Sequence, residues 1–240
     1  MFKSIYIMNN LAICLSGSLR SIDICYKNFL ENIYYPNNQY FNIKLFYFIP
    51  EDINSQKINK IGDILALEPT IKIKKDEEIK LPSCHFKGRP HSIDSTSIGG
   101  FKGWIYQIQG VENNYEMLNE YEKNNSIKFD YILRVRHDVL FLKPVILKDY
   151  INSGSIIVPN FQKVYGINDR FAFGTASNMK TYMLMYSNLY KYSKDKSLNI
   201  LNAEWFCKYN LDRNNIKYIE DNNILFNRVR IDGKISIDCK

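Results

Sequence analysis

Several familiar signatures are missing from this 240-residue sequence. Its five cysteines, Cys14, Cys25, Cys84, Cys207 and Cys239, form no C-x-x-C and no paired spacing. A scattered, odd set argues against a disulfide framework or a zinc site and points to a reducing compartment, so a cytoplasmic location is expected. Cys84, His85 and His91 lie near one another, but no fourth ligand stands at a suitable spacing. The chain does not open with a basic segment followed by a long apolar core, as a signal peptide would. No apolar run approaches the length of a transmembrane segment. Net charge is +7, yet no dense Lys/Arg block concentrates it. A nucleic-acid partner needs a basic face, so none is expected, and an anionic nucleotide ligand suits the spread cations better. There is no G-x-G-x-x-G, no P-loop, no internal repeat and no linker of low complexity. Residues 1–240 therefore read as a single domain.

What is present is an ordinary globular composition, 45% hydrophobic and 24% charged, with aromatics at 14%. The chain is organised around residues 129–141, Phe-Asp-Tyr-Ile-Leu-Arg-Val-Arg-His-Asp-Val-Leu-Phe. The run begins apolar and β-prone, as a buried strand would. It then places Arg134, Arg136, His137 and Asp138 where the strand should end. Charges of this density are expected to emerge at the carboxyl edge, where open α/β sheets bind ligands. Arg134 and Arg136 share a face at i and i+2, and an extended chain would put Asp138 on it too. Two cations and a carboxylate suit a phosphate-bearing ligand with a bridging divalent metal. They equally suit an internal Arg–Asp ion pair at a strand end.

The rest of the chain alternates strands and helices. Residues 10–16 read as a first buried strand, and Gly17-Ser18-Leu19-Arg20 as a tight turn. Ser21 or Asp23 can cap a helix to about residue 35, with Ile24, Phe29, Leu30 and Ile33 inward. Strand, glycine turn and helix can bring backbone N–H groups and Arg20 to a phosphate, or form a plain structural turn. Residues 41–49 predict a second strand, 54–67 a short helix and 70–73 a third strand. The alternation predicts an α/β fold, with a mixed, mostly parallel central sheet flanked by helices. Residues 74–97 have no periodicity and read as a lid or a surface loop. Residues 99–123 form the longest helical pattern, with Trp104, Ile108, Val111, Tyr115, Leu118 and Tyr121 as a core stripe. Gln107, near its start, reads as a solvated glutamine rather than a ligand contact. The central strand is expected to run on to Lys143-Pro144, and residues 155–158 add a short one. Asp169 and Arg170 precede an aromatic strand closed by Gly174, and Thr175 or Ser177 starts a helix to about residue 190. Asp169 is either a ligand for sugar hydroxyls or a turn carboxylate. Asn199 or Asn202 can cap a helix through residue 208. Its first-turn Glu204 is favoured by the helix dipole without any catalysis. Residues 216–219 and 224–229 read as terminal strands.

In order and spacing, these segments resemble a GT-A-type nucleotide-sugar glycosyltransferase, of the small bacterial and large-DNA-virus type that builds surface glycans. Leu15-Ser16-Gly17-Ser18-Leu19-Arg20 looks like the opening turn over the nucleotide. Tyr131 to Asp138 resembles the strand leading to the acidic metal motif. Residues 168–174 are similar to the acceptor-side segment, and Ala203-Glu204-Trp205-Phe206 to the acidic helix start beside the acceptor. One departure stands out: the aligned D-x-D triplet is Arg136-His137-Asp138, acidic only at its end.

The resemblance implies a GT-A-like, Rossmann-like fold and metal-assisted transfer of a sugar from a nucleotide-diphosphate sugar to a glycan or other hydroxyl acceptor. Asp138 would hold Mn²⁺ or Mg²⁺, or Arg136 would instead replace part of the metal's charge. Gly17, Ser18, Arg20, Arg134 and Arg136 would bind the donor. Glu204, and after it Asp169, would take the acceptor's proton if the reaction inverts the anomeric centre. A non-catalytic nucleotide- or nucleotide-sugar-binding module is the alternative.

Overall fold

The computed structural model describes residues 8–75, 98–193 and 202–239. The segment with Cys84, His85 and His91 therefore lies outside the described residues, as does most of the expected 74–97 loop. So does Asn199.

The elements in chain order are β1 (Asn9–Ser16), α1 (Ile22–Phe29) continued by a π-helical turn (Leu30–Tyr34) and α2 (Tyr35–Asn37), and β2 (Phe41–Pro50). A 3₁₀ turn (Ser55–Lys60), α3 (Gly62–Leu65), β3 (Thr70–Lys74), α4 (Ile98–Asn125), β4 (Tyr131–Val135) and β5 (Val139–Phe141) follow. Next come a 3₁₀ turn (Leu147–Tyr150), β6 (Ile156–Pro159), β7 (Phe171–Thr175), α5 (Ala176–Met183) and α6 (Met185–Tyr192). The chain closes with α7 (Ala203–Arg213), β8 (Tyr218–Asp221), β9 (Phe226–Val229) and β10 (Ile235–Ser236).

The central sheet has seven strands in the order β3-β2-β1-β4-β7-β6-β8. Only β7 runs against the others, pairing antiparallel with both β4 and β6. The expected mixed, mostly parallel α/β sheet is thus what the chain forms. Both faces are covered, as a parallel sheet requires. Leu11, Ala12, Ile13, Cys14 and Leu15 are all buried, which explains the unbroken apolar run of β1. Alternation divides them between two cores. Leu11, Ile13 and Leu15 join Ile22 and Phe29 of α1 on one side. Ala12 and Cys14 join Ile108, Val111 and Leu118 of α4 and Phe206 of α7 on the other. The small second sheet, β10-β9-β5, is antiparallel.

Several sequence expectations need correction. The central strand, expected to run on to Lys143-Pro144, breaks after Val135, and β5 leaves to pair with β9. Ile24 is exposed rather than inward, because the helix starting at Ile22 buries Ile22, Cys25 and Phe29 instead. Ser21 caps nothing with its side chain; its hydroxyl donates to the carbonyls of Val229 and Arg230. The helix expected over 54–67 is two short pieces separated at Ile61, where the backbone leaves the helical region and a glycine follows. The helix after Thr175 is interrupted at Leu184, dividing α5 from α6.

Candidate functional site

The topology gathers the singled-out residues at one sheet edge. β1 and β4 are parallel neighbours, so the Gly17 turn and Arg136 both follow carboxyl ends. β7 is antiparallel, so Asp169 and Arg170, which precede it, arrive at the same edge; Phe171 pairs with Val135. The α7 start is tied there too, since the Ile167 N–H donates to the Glu204 carbonyl at 3.2 Å.

The opening turn is shaped by Gly17, whose φ of +119° lies in the region that favours glycine. Its N–H donates to the Phe48 carbonyl at 3.1 Å. His137 locks this turn to the central motif, with Nε2 2.5 Å from the Ser18 carbonyl oxygen. Burial pushes the His137 imidazole below its usual range, although Asp138 and the Ser18 carbonyl pull the other way. Neutral His137 therefore donates from Nε2, and Nδ1 is buried without a hydrogen-bond partner. Ser18 contributes its carbonyl to this lock.

Asp138 reaches Arg136 through a turn rather than along an extended face. Arg136 grips it with both arms of its fork, Nε to Oδ1 at 2.8 Å and Nη2 to Oδ2 at 2.7 Å. Arg20, more exposed, stands 3.8 Å from Oδ2. Burial would raise the Asp138 carboxyl, but the Arg136 charge and hydrogen bonds, with a smaller contribution from Arg20, hold it well below the usual range. Its neighbour in the strand, Arg134, does not emerge at the edge as the charge pattern suggested. It is only 2% exposed, and its Nη1 donates to the Asp169 carbonyl. A buried guanidinium is tolerated in the sheet because that carbonyl and the nearby Asp169 carboxylate partly compensate it.

Gln107, which the sequence suggested was solvated, joins the two halves of the cluster. It accepts from Arg136 Nη1 at 2.7 Å and donates to Asp169 Oδ2 at 2.9 Å. Its position was the available signal, one turn along the core stripe from Trp104 on a helix that crosses this edge. Arg170, Arg228 and Asp238 were also missed. Arg228 forms a bidentate pair with Asp238.

Two carboxylates at this edge are driven in opposite directions. Burial would raise Asp169, yet Arg170, Arg134 and Arg136 and the Gln107 hydrogen bond bring it below its usual range. Glu204 is raised, first by burial and then by the negative charge of Asp169; Arg170 and Arg228 offset this only in part. The two environments thus separate the proton affinities of neighbouring carboxyls, as sites of acid–base chemistry do. Of the two, Glu204 has the higher proton affinity and Asp169 the lower.

The α7 start depends on close backbone contact. Asn202 caps it, accepting from the Trp205 N–H at 2.7 Å. A methyl group on Gly166 would fall inside the Glu204 carbonyl and the Trp205 nitrogen. Gly166→Ala is therefore expected to lower stability by about 3 kcal/mol, the upper range for overpacking, and to displace Glu204. Urea unfolding midpoints would check the first effect.

As arranged, a divalent cation at Asp138 would have to share its oxygens with Arg136 or displace the guanidinium. Mg²⁺ sites use one or two carboxylates with waters and substrate phosphates, and both Asp138 oxygens already accept from Arg136. Among the described residues, no three His, Cys, Asp or Glu side chains are grouped to hold a metal ion. None of the described helices is long and apolar enough to cross a membrane.

No curated protein matches the chain. It is similar to two crystal structures of the glycosyltransferase GlyE from Streptococcus pneumoniae TIGR4. The apo form aligns with a TM-score of 0.46 and 11% identity, over 90% of this chain and 46% of that one. The second structure aligns with a TM-score of 0.47 and 10% identity over the same shares. The chain thus spans about half the length of those proteins. A family model described as a domain of unknown function, DUF7796, matches residues 7–228, and the chain belongs to that family.

Proposed function

We propose that this protein is a glycosyltransferase that moves a sugar from a nucleotide-diphosphate sugar to a glycan or other hydroxyl acceptor. The observation that carries the reading is the pairing, at one sheet edge, of an arginine-flanked glycine turn with two carboxylates of opposed proton affinity. In sugar transfer the bond from the anomeric carbon to the diphosphate oxygen breaks through an oxocarbenium-like state, and the acceptor oxygen forms the new bond. The leaving diphosphate takes the bonding electron pair and needs positive charge beside it. Arg20 and Arg136, with the Gly17 turn, supply that charge in this reading. Arg134 works indirectly by fixing the Asp169 backbone. With inversion, Glu204 takes the acceptor hydroxyl's proton.

Arg136 takes the place that a Mn²⁺ or Mg²⁺ ion on Asp138 would hold, and so provides fixed charge without a metal. The binding-module alternative is favoured by the same feature, since an Asp138 closed by Arg136 suits retention of a nucleotide as well as turnover. A thermal-shift panel of UDP, GDP, CMP and their sugar conjugates, with Mn²⁺, Mg²⁺ or EDTA, tests the reading. One nucleoside diphosphate at about 100 times its Kd should add roughly 2.7 kcal/mol of stability, equally in EDTA. Release of that nucleotide from its sugar conjugate in the presence of acceptor separates an enzyme from a binding module. No shift with any nucleotide would sink both.

A further inference from the structure

Arg170 is a buried cation of this cluster whose guanidinium is paired by charge but not by hydrogen bonds. Its backbone is fixed, with the N–H donating to Asn168 Oδ1 at 2.9 Å and the carbonyl accepting from Arg136 at 3.1 Å. Its side chain is 8% exposed. Among the described residues the guanidinium makes no hydrogen bond, and Nη1 is buried without a partner. The nearest carboxylate oxygen, Glu204 Oε1, stands 3.7 Å from Nη2, a distance of charge attraction without a hydrogen bond.

Its neighbours are committed elsewhere. Arg136 is held by Asp138 and Gln107, Arg228 is held by Asp238, and an Asp169 oxygen accepts from Gln107. Burial holds the Arg170 guanidinium below its usual proton affinity, despite Asp169. A buried guanidinium with an open arm is costly unless an anion completes it. Its planar fork matches the two oxygens of a carboxylate or phosphate.

We infer that Arg170 seats the acidic group of a sugar substrate, so that the acceptor is an anionic sugar bearing a carboxylate or phosphate. The inference rests on the glycosyltransferase reading for the word sugar, and on the unanswered guanidinium for the word anionic. The seat distinguishes acidic from neutral sugars, while the nucleotide is held by other residues.

Calorimetric titration of the full chain with methyl glucuronide, glucose 6-phosphate, methyl glucoside and UDP tests this. One of the two acidic sugars should bind at least tenfold more tightly than the glucoside, and which one does so identifies carboxylate or phosphate. Arg170→Gln should abolish that preference and leave UDP affinity within about twofold. Arg170→Lys keeps the charge without the fork; if the glutamine variant does not fold, it should still lose most of the preference. Equal binding of acidic and neutral sugars, or binding of neither acidic sugar, would overturn the inference. So would an equal loss of UDP, which would place Arg170 in the diphosphate site. Failure of the nucleotide-sugar reading would be seen separately, as no binding of UDP, GDP or CMP by the unsubstituted protein.

Discussion

Glu204→Gln is expected to lower turnover by about 10²- to 10⁴-fold, the contribution of a positioned general base, with nucleotide affinity retained. The amide keeps the shape and the first-turn position on α7 but cannot take a proton. The unsubstituted enzyme should lose activity as pH falls through the Glu204 value. That acid limb should lie above the ordinary glutamate range, because burial and Asp169 raise this carboxyl. Stability should move the other way. A carboxyl whose folded pKa is raised costs the fold nothing while both states are protonated. As pH rises past the unfolded value, near 4.5, the unfolded state gives up its proton first and stability falls. It levels off above the folded value. Glutamine is neutral throughout, so the variant should melt above the parent at pH 7, with the gain shrinking toward pH 4. Lost turnover together with a higher Tm would mark Glu204 as a strained functional group. Lost turnover with a lower Tm would mark it as structural support for Arg170. Full activity would end its role as base.

The sheet was legible because its strands are buried on both faces. Leu11 to Leu15 can be a strand without reference to any partner, and the same holds for Leu45 to Ile49 in β2. Helix starts were legible where a cap acts locally: Thr175 accepts from Asn178 and Asn202 from Trp205. What failed depended on contacts distant in sequence. Arg134 looked like an edge residue because its compensation comes from the Asp169 carbonyl, 35 positions away. Gln107 looked solvated because both of its partners belong to other elements. The break between β4 and β5 follows from Asp138 folding back onto Arg136, which an alternation pattern does not register. Seven of the eight site residues named from sequence share one edge, though in different capacities, and the eighth, Arg134, is buried in the sheet beneath it. Arg20, Arg136 and Asp138 form one charge group, and Asp169 is linked to it by Gln107. Glu204 approaches through Arg170, Gly17 and Ser18 shape the turn, and Arg134 braces from below.

Asp138→Asn should destabilise the protein by about 3 to 5 kcal/mol, the cost of leaving one partner of a buried ion pair unanswered. Asparagine can still accept from one arm of Arg136, which favours the lower figure. The loss should depend on pH. The Asp138 carboxyl is depressed in the fold, so its contribution is present above the unfolded value of about 3.8 and is lost as pH falls below it. Parent and variant should therefore converge in acid. The same substitution separates the two accounts of the donor site by sign. If Arg136 meets the diphosphate directly, Asp138 competes with the ligand for the guanidinium. Removing the carboxylate charge should then tighten nucleoside diphosphate binding in EDTA, and saturating nucleotide should restore part of the lost stability. If a cation on Asp138 carries the diphosphate, the variant should instead lose a metal-dependent shift that the parent shows. The bidentate grip of Arg136 on both oxygens leads to the first outcome, with affinity rising as stability falls.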